Sequence, residues 1–269
     1  MHPEVMEYGK TLIMGILNCT PDSFSDGGQF MDAGKAVEHA LRMAADGADI
    51  IDIGGESTRP GYVPVDDEEE MSRILPVIRR LRSDGLVMSV DTTKPAVAVK
   101  ACECGCSILN DISGDLRSSG MADIAAANGS YLVIMFNCRV NGECEGDIIT
   151  RAAREIDDNI ETALSRGVNE DRIWIDPGIG FGTTRQQDVE LTRNLSELSQ
   201  GGRFKILYAA SRKRIVKDLC DYGDDGELRD LVSDSLALTA RANGASIIRS
   251  HRIRELRTML DTYDRINGR

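Results

Sequence analysis

Cations gather late in this chain: Lys213 follows Ser211 and Arg212, and Arg249 and His251 close the last apolar run. Such a cluster can neutralise a departing anion, and His251 can add a donor to that anion or assist a proton transfer. Acceptors gather earlier, at Asp91 in Ser89-Val90-Asp91-Thr92, at Asn110 beside Asp111, and at Asp176 in Ile175-Asp176-Pro177-Gly178. Any one of them could simply cap a helix. Together they suit the N–H-rich edge of a heterocycle, because carboxylates and amide oxygens accept. Asn18 offers a carbonyl oxygen to a hard cation such as Mg²⁺, which takes few protein ligands and shares the rest with phosphate oxygens. The stretch from Asn18 to Gly28 then mixes two carboxylates, three hydroxyls and Phe24, a composition for an anionic, aromatic substrate rather than for a packed core. In Gly54–Gly61 the glycines permit close backbone approach, and Arg59 supplies a planar fork for a carboxylate or phosphate.

These residues need elements that bring them together, and the chain provides eight short apolar runs that stop at polar residues. They are Thr11–Asn18, Ala48–Glu56, Leu86–Asp91, Ser107–Ser113, Tyr131–Asn137, Arg172–Asp176, Lys205–Ser211 and Ala245–His251. Helical patterns separate most of them: Ala33–Asp46, Asp66–Arg82, Ile148–Arg166, Leu231–Asn243 and Arg252–Asp264. Alternating strand and helix predicts parallel strands with crossover helices, and eight units are what a closed (β/α)₈ TIM barrel requires. In that fold the polar run ends share one rim, where the chemistry of such barrels sits. No linker or composition shift divides residues 1–269, so a single domain is expected.

Composition narrows the class further. A net charge of −12 over 269 residues argues against a nucleic-acid partner. No apolar stretch approaches a membrane span, and Met1–Lys10 lacks the apolar core of a secretion signal. A cytoplasmic protein is the expectation. Seven cysteines, an odd number scattered along the chain, fit a reducing compartment better than a disulfide framework. Cys102, Cys104 and Cys106 do not have a usual zinc spacing and read as small buried residues.

The ordered motifs resemble the dihydropteroate synthase family. They are Met14–Gly28 (MGILNCTPDSFSDGG), Gly47–Gly61 (GADIIDIGGESTRPG), Ser89–Thr92 (SVDT), Ile108–Gly114 (ILNDISG), Ile175–Gly182 (IDPGIGFG), Ser211–Lys213 (SRK) and Arg249–His251 (RSH). The resemblance implies condensation of 6-hydroxymethyl-7,8-dihydropterin pyrophosphate with 4-aminobenzoate, releasing pyrophosphate, in folate biosynthesis. It implies that Asp91, Asn110, Asp176 and Lys213 hold the pterin, with Phe181 and Met135 lining its pocket. It further implies that Asn18, Arg249 and His251 hold the pyrophosphate with Mg²⁺. Thr58, Arg59 and Phe24 would close over the second substrate, with Ser211 beside it. The family generally dimerises through its later helices, which makes Leu231–Asn243 the candidate contact of a homodimer.

The chain departs from the family pattern after the fifth run. Where the family commonly has Met-His-Met-X-Gly, this chain has Met135-Phe136-Asn137-Cys138-Arg139, and the Lys that often follows GFG is Thr183. Three other readings stay open at this point: a relative joining the pterin to a ribosylated aminobenzene phosphate, a degenerate pterin-binding paralogue, and a pterin-dependent methyltransferase.

Overall fold

The computed structural model describes residues 10–20, 29–57, 63–140, 142, 144, 146–219 and 225–268. Eight parallel strands close into a barrel in sequence order: β1 (Leu12–Asn18), β2 (Ile50–Gly54), β3 (Met88–Asp91), β4 (Ile108–Asp111), β5 (Tyr131–Met135), β6 (Ile173–Asp176), β7 (Lys205–Tyr208) and β8 (Ala245–Ser250). β8 pairs back onto β1, with Leu12 opposite Ile247 and Met14 opposite Arg249. The expected TIM barrel is therefore present. Its strands are shorter than the apolar runs, whose flanking residues lie mostly in irregular segments.

Successive side chains of a strand point to opposite faces, and this period explains both cores. Leu12, Met14, Ile50, Ile108, Val133, Trp174, Leu207 and Ile247 form one buried apolar cluster, the barrel floor. Their neighbours Ile13, Ile51, Leu109, Leu132, Ile134, Ile173, Ile175, Ile206 and Ile248 belong to the outer core between strands and helices. Full burial of each such side chain contributes about 1.5–3 kcal/mol. The strands are buried on both faces, so apolar runs and not alternation mark them in the sequence.

Eleven helices are present among the described residues: α1 (Gln29–Ala45), α2 (Asp67–Leu81), α3 (Pro95–Cys104), α4 (Leu116–Ser119), α5 (Met121–Asn128), α6 (Ile148–Ser165), α7 (Arg185–Arg193), α8 (Leu195–Leu198), α9 (Arg214–Leu219), α10 (Gly226–Ala242) and α11 (Arg254–Ile266). Asp66 caps α2 by accepting from the Glu69 N–H at 2.8 Å, while acidic residues fill its first turn and Arg79 and Arg80 its last. These charges oppose the helix dipole at each end. α10 starts five residues before the expected Leu231, because Asp225 accepts from the Glu227 and Leu228 N–H groups and starts a polar first turn. Asp264 of α11 joins the first and last units: Oδ2 accepts from the Thr11 N–H at 2.9 Å, and Oδ1 from Arg241 Nε at 2.7 Å.

The cysteines depart from the expectation of free thiols. Cys138 and Cys144, with Cα atoms 5.9 Å apart, form a disulfide within the segment between β5 and α6. The bond closes a short ring within that one connection, at a sequence separation of 6. Cys19, Cys102, Cys104 and Cys106 are free, and Cys19 and Cys106 are buried.

Candidate active site

Two residues beyond each floor residue, on the same inward face, the barrel becomes polar. Ile50 leads to Asp52, Ile108 to Asn110, Trp174 to Asp176 and Ile247 to Arg249, while Val133 leads to Met135. Asn18 and Asp91 end β1 and β3 with the same alternation, and Met135 lies opposite Asp176 in the β5–β6 register. The floor excludes water from below, so this tier lies in a low-dielectric setting where its charges interact strongly.

Arg249 is the centre of one cluster. Its Nε donates to Asp52 Oδ2 at 2.6 Å and its Nη2 to Asp91 Oδ2 at 2.7 Å. Asp52 Oδ2 also accepts from Asn110 Nδ2 at 3.1 Å. Thus Asp52, which is not among the expected site residues, ties Arg249 to Asn110, and Arg249 in turn holds Asp91. Asp52 interrupts an otherwise apolar buried strand, and that charge was the available signal. Burial pushes the Asp91 carboxyl up to about 7, with Arg249 opposing and Asp52 adding to the rise. Burial alone would lower Arg249, but Asp52 and Asp91 hold its pKa above the ordinary value.

Lys213 is the centre of a second cluster. Its Nζ donates to the Ile179 carbonyl at 2.9 Å and lies 4.6 Å from the Phe181 ring centroid. Burial pushes Lys213 down to about 8, while Asp176 draws it back up. Burial raises Asp176 in turn, opposed by Lys213 and by the Gly178 N–H, which donates to its Oδ1 at 2.7 Å. Gly178 has φ +73°, and a Cβ there would overlap the Phe136 carbonyl oxygen. Only glycine fits this turn beneath the carboxylate. Thr183, in place of the expected Lys, donates to Asp188 Oδ1 at 2.5 Å, and the Gly180 N–H donates to the same oxygen at 2.9 Å. Asp188 so fixes the loop that carries Phe181, another residue the motifs did not flag.

At the adjacent rim, Ser211 Oγ lies 3.1 Å from His251 Nδ1 and accepts the His251 backbone N–H at 3.4 Å. Beside β2, Glu56 Oε2 accepts from the Val65 N–H and from Lys94 Nζ, both at 2.8 Å. Lys94 also pairs with buried Glu70 at 2.5 Å. This network ties Val65, just before α2, to the end of β2 and the start of α3. Phe24, Thr58 and Arg59 lie outside the described residues. Among the described residues no group of three or more His, Cys, Asp or Glu could hold a metal ion. No described helix is long and apolar enough to cross a membrane.

The altered segment after β5 has its own contacts. Asn137 Nδ2 donates to the Ile112 carbonyl at 2.9 Å, and the Arg139 guanidinium lies 5.2 Å from the Phe181 ring centroid. Phe181 therefore has two cations near its ring, Lys213 and Arg139.

Comparison with known proteins places this geometry. A family model described as pterin binding enzyme matches residues 14–251. The dihydropteroate synthase of Bacillus subtilis is 39% identical over 264 residues, covering 97% of this chain and 91% of that protein. That of Clostridium beijerinckii is 44% identical over 208 residues, covering 77% and 76%. The crystal structure of a Clostridium difficile dihydropteroate synthase in the presence of pteroic acid superposes with a TM-score of 0.91 at 37% identity, covering 98% of this chain and all of that one. A Xanthomonas albilineans dihydropteroate synthase with 4-aminobenzoic acid gives a TM-score of 0.90 at 36% identity, covering 97% and 94%. With a closed barrel, an inward polar tier and matches spanning nearly the whole chain, this protein belongs to the dihydropteroate synthase family of pterin-binding enzymes.

Proposed function

We propose that this chain condenses 6-hydroxymethyl-7,8-dihydropterin pyrophosphate with 4-aminobenzoate. The observation that carries the reading is the inward tier of Asp52, Asp91, Asn110, Asp176 and Arg249, above an apolar floor and beside Lys213. The carboxylates and the Asn110 amide oxygen of this tier match the N–H edge of a pterin, and Met135 and Phe181 add apolar walls. In the reaction the C–O bond to pyrophosphate breaks and an N–C bond forms; the amine proton leaves to solvent or to the departing anion. Positive charge growing on the pterin methylene delocalises into the ring. The chain's task is to neutralise the leaving group and keep water from competing with the amine.

Asn18, Arg249 and His251 suit the leaving pyrophosphate. The Ser211 hydroxyl, donating to Nδ1, would keep the imidazole proton on Nε2, where it can serve an anion. Each charge-assisted contact to the leaving group contributes about 1.5–3 kcal/mol. Mg²⁺ fits the same place: the one hard oxygen of Asn18 and the pyrophosphate oxygens make a sufficient donor set. When bound, the ion supplies further charge neutralisation of the leaving group. Thr58, Arg59 and Phe24, with Ser211, are assigned to the arylamine. An aryl amine is largely unprotonated at neutral pH, so no strong base is required.

We further infer a cytoplasmic homodimer joined through the later helices. Exposed Leu219 of α9 and Leu231 of α10 support the contact, at 50% and 41% exposure, and sedimentation would test it. The reaction is tested by supplying the pterin pyrophosphate, Mg²⁺ and arylamine and following pyrophosphate release in the chain and in Lys213→Ala and Asp176→Asn. The substitutions should nearly abolish turnover with the fold retained; near-native rates in both would refute the assignment. Turnover with a ribosylated aminobenzene phosphate in place of 4-aminobenzoate would reassign the second substrate.

A further inference from the structure

We propose that Cys138 and Cys144 form a reversible dithiol–disulfide exchange site whose oxidised form clamps Arg139 onto Phe181. Part of this rests on the function proposed above, through the role given to Phe181. The pair lies in the segment where this chain departs from the family pattern. Its Cα separation of 5.9 Å is within the span a disulfide accepts without backbone movement. The sequence separation is 6, so the bond constrains a small ring of chain and acts locally.

That ring is fastened to the site at both ends. The Cys138 N–H donates to the Phe181 carbonyl at 3.0 Å, and the Cys144 carbonyl accepts from Gln187 Nε2 at 2.6 Å. Between them, Arg139 stacks on the Phe181 ring and its Nη2 reaches the Gly180 carbonyl at 3.4 Å. Arg139 is exposed, so an unconstrained side chain would lose rotamer freedom in holding this stack. The closed ring leaves that rotamer cost in place but restrains the backbone that carries Arg139, so less backbone freedom is lost on forming the stack. Access is graded in the right order for exchange: Cys144 is half-buried and Cys138 is buried. By contrast, burial pushes the Cys19 thiol up to about 12 and raises Cys106 as well, which leaves both unreactive.

The co-reactant is a low-molecular-weight disulfide. The Cys144 thiolate attacks one of its sulfurs, forming a mixed disulfide and releasing one thiolate. The Cys138 thiolate then attacks the Cys144 sulfur, closing the protein disulfide and expelling the second thiolate. Two protein thiols lose two electrons and two protons, and the small disulfide is reduced to two thiols. Dithiothreitol reverses the step.

The test uses the full chain, reduced with dithiothreitol and then exposed to oxidised glutathione. Maleimide labelling in denaturant after the oxidation, read by intact mass, should fall from seven thiols to five, and tryptic peptides ending at and following Arg139 should be recovered joined through Cys138 and Cys144. The KM for the pterin pyrophosphate should differ by about two- to fivefold between the two forms, the range of an exposed cation–π contact. Cys144→Ser should remove the difference. Seven thiols retained after oxidation, a bond between other cysteines, or equal KM values in the two forms would overturn the proposal. Formation of the pair in a chain without turnover would support the exchange site and refute the assigned reaction, so the two failures are distinguishable.

Discussion

Replacing Asp52 by Asn tests the barrel tier through the residue that organises it. The change is nearly isosteric and removes one charge from a fully buried position. Asp52 Oδ2 holds Arg249 Nε at 2.6 Å and Asn110 Nδ2 at 3.1 Å. A hydrogen bond between charged partners contributes about 1.5–3 kcal/mol and a neutral one about 0.5–1.5, so the first contact weakens by roughly 1–1.5 kcal/mol. A further loss follows because an Asn oriented toward Arg249 through its oxygen puts its NH₂ where the buried Asp52 Oδ1 has no hydrogen-bond partner. Expressed in kcat/KM, the loss is about 5- to 30-fold, at about 1.4 kcal/mol per decade. A second readout has a definite sign. Asp52 is one of the charges that raise Asp91, whose carboxyl lies at about 7. Removing it favours ionised Asp91, so the acid limb of kcat/KM should move to lower pH. The assay is pyrophosphate release across the neutral pH range, with thermal unfolding as a check on folding. An unchanged acid limb together with kcat/KM within about twofold of the parent would refute the idea that Asp52 sets the tier.

Four other outcomes are expected. Lys213, pushed down to about 8 by burial, should give kcat/KM an alkaline limb near that pH as its ammonium is lost, and Lys213→Met should abolish the limb along with most activity. Because its folded pKa lies below the ordinary Lys value, Lys213 makes folding more favourable as pH rises from about 8 toward that value; denaturant titration of the parent and Lys213→Met would compare the slopes. Gly178→Ala should destabilise by more than about 1 kcal/mol in urea titration, since φ is +73° and the added Cβ meets the Phe136 carbonyl. Asn18→Ala should raise the Mg²⁺ concentration needed for half-maximal rate while leaving thermal unfolding nearly unchanged.

Much of this molecule was legible in its sequence because the fold is periodic. Runs such as Thr11–Asn18 and Arg172–Asp176 are buried on both faces, so their apolar stretches stand out, and the polar residue at each end marks the rim. Asp52 stands inside Ile50–Gly54 and not at a strand end, so the pattern of polar run ends does not mark it. Counting by two from Ile50 would have placed it beside Asn110 and Arg249. Helix starts were harder to see: α10 begins on a polar turn held by Asp225, which carries no apolar period. Side-chain partners of loops were not legible at all. Asp188 meets Gly180 and Thr183 across the start of α7, and Cys138 meets Cys144 within the β5–α6 connection, through loop conformations that carry no periodic signal.

A barrel mouth that holds a pterin pyrophosphate and transfers its methylene to an arylamine is the centre of the proposed function. Rapid-quench measurement of pyrophosphate released per dihydropteroate formed, with 4-aminobenzoate present, tests this most directly. One pyrophosphate for each dihydropteroate, with both lost together in Asp176→Asn, is the predicted result. Pyrophosphate released without dihydropteroate, or neither product from a folded chain that still binds the pterin, would contradict it.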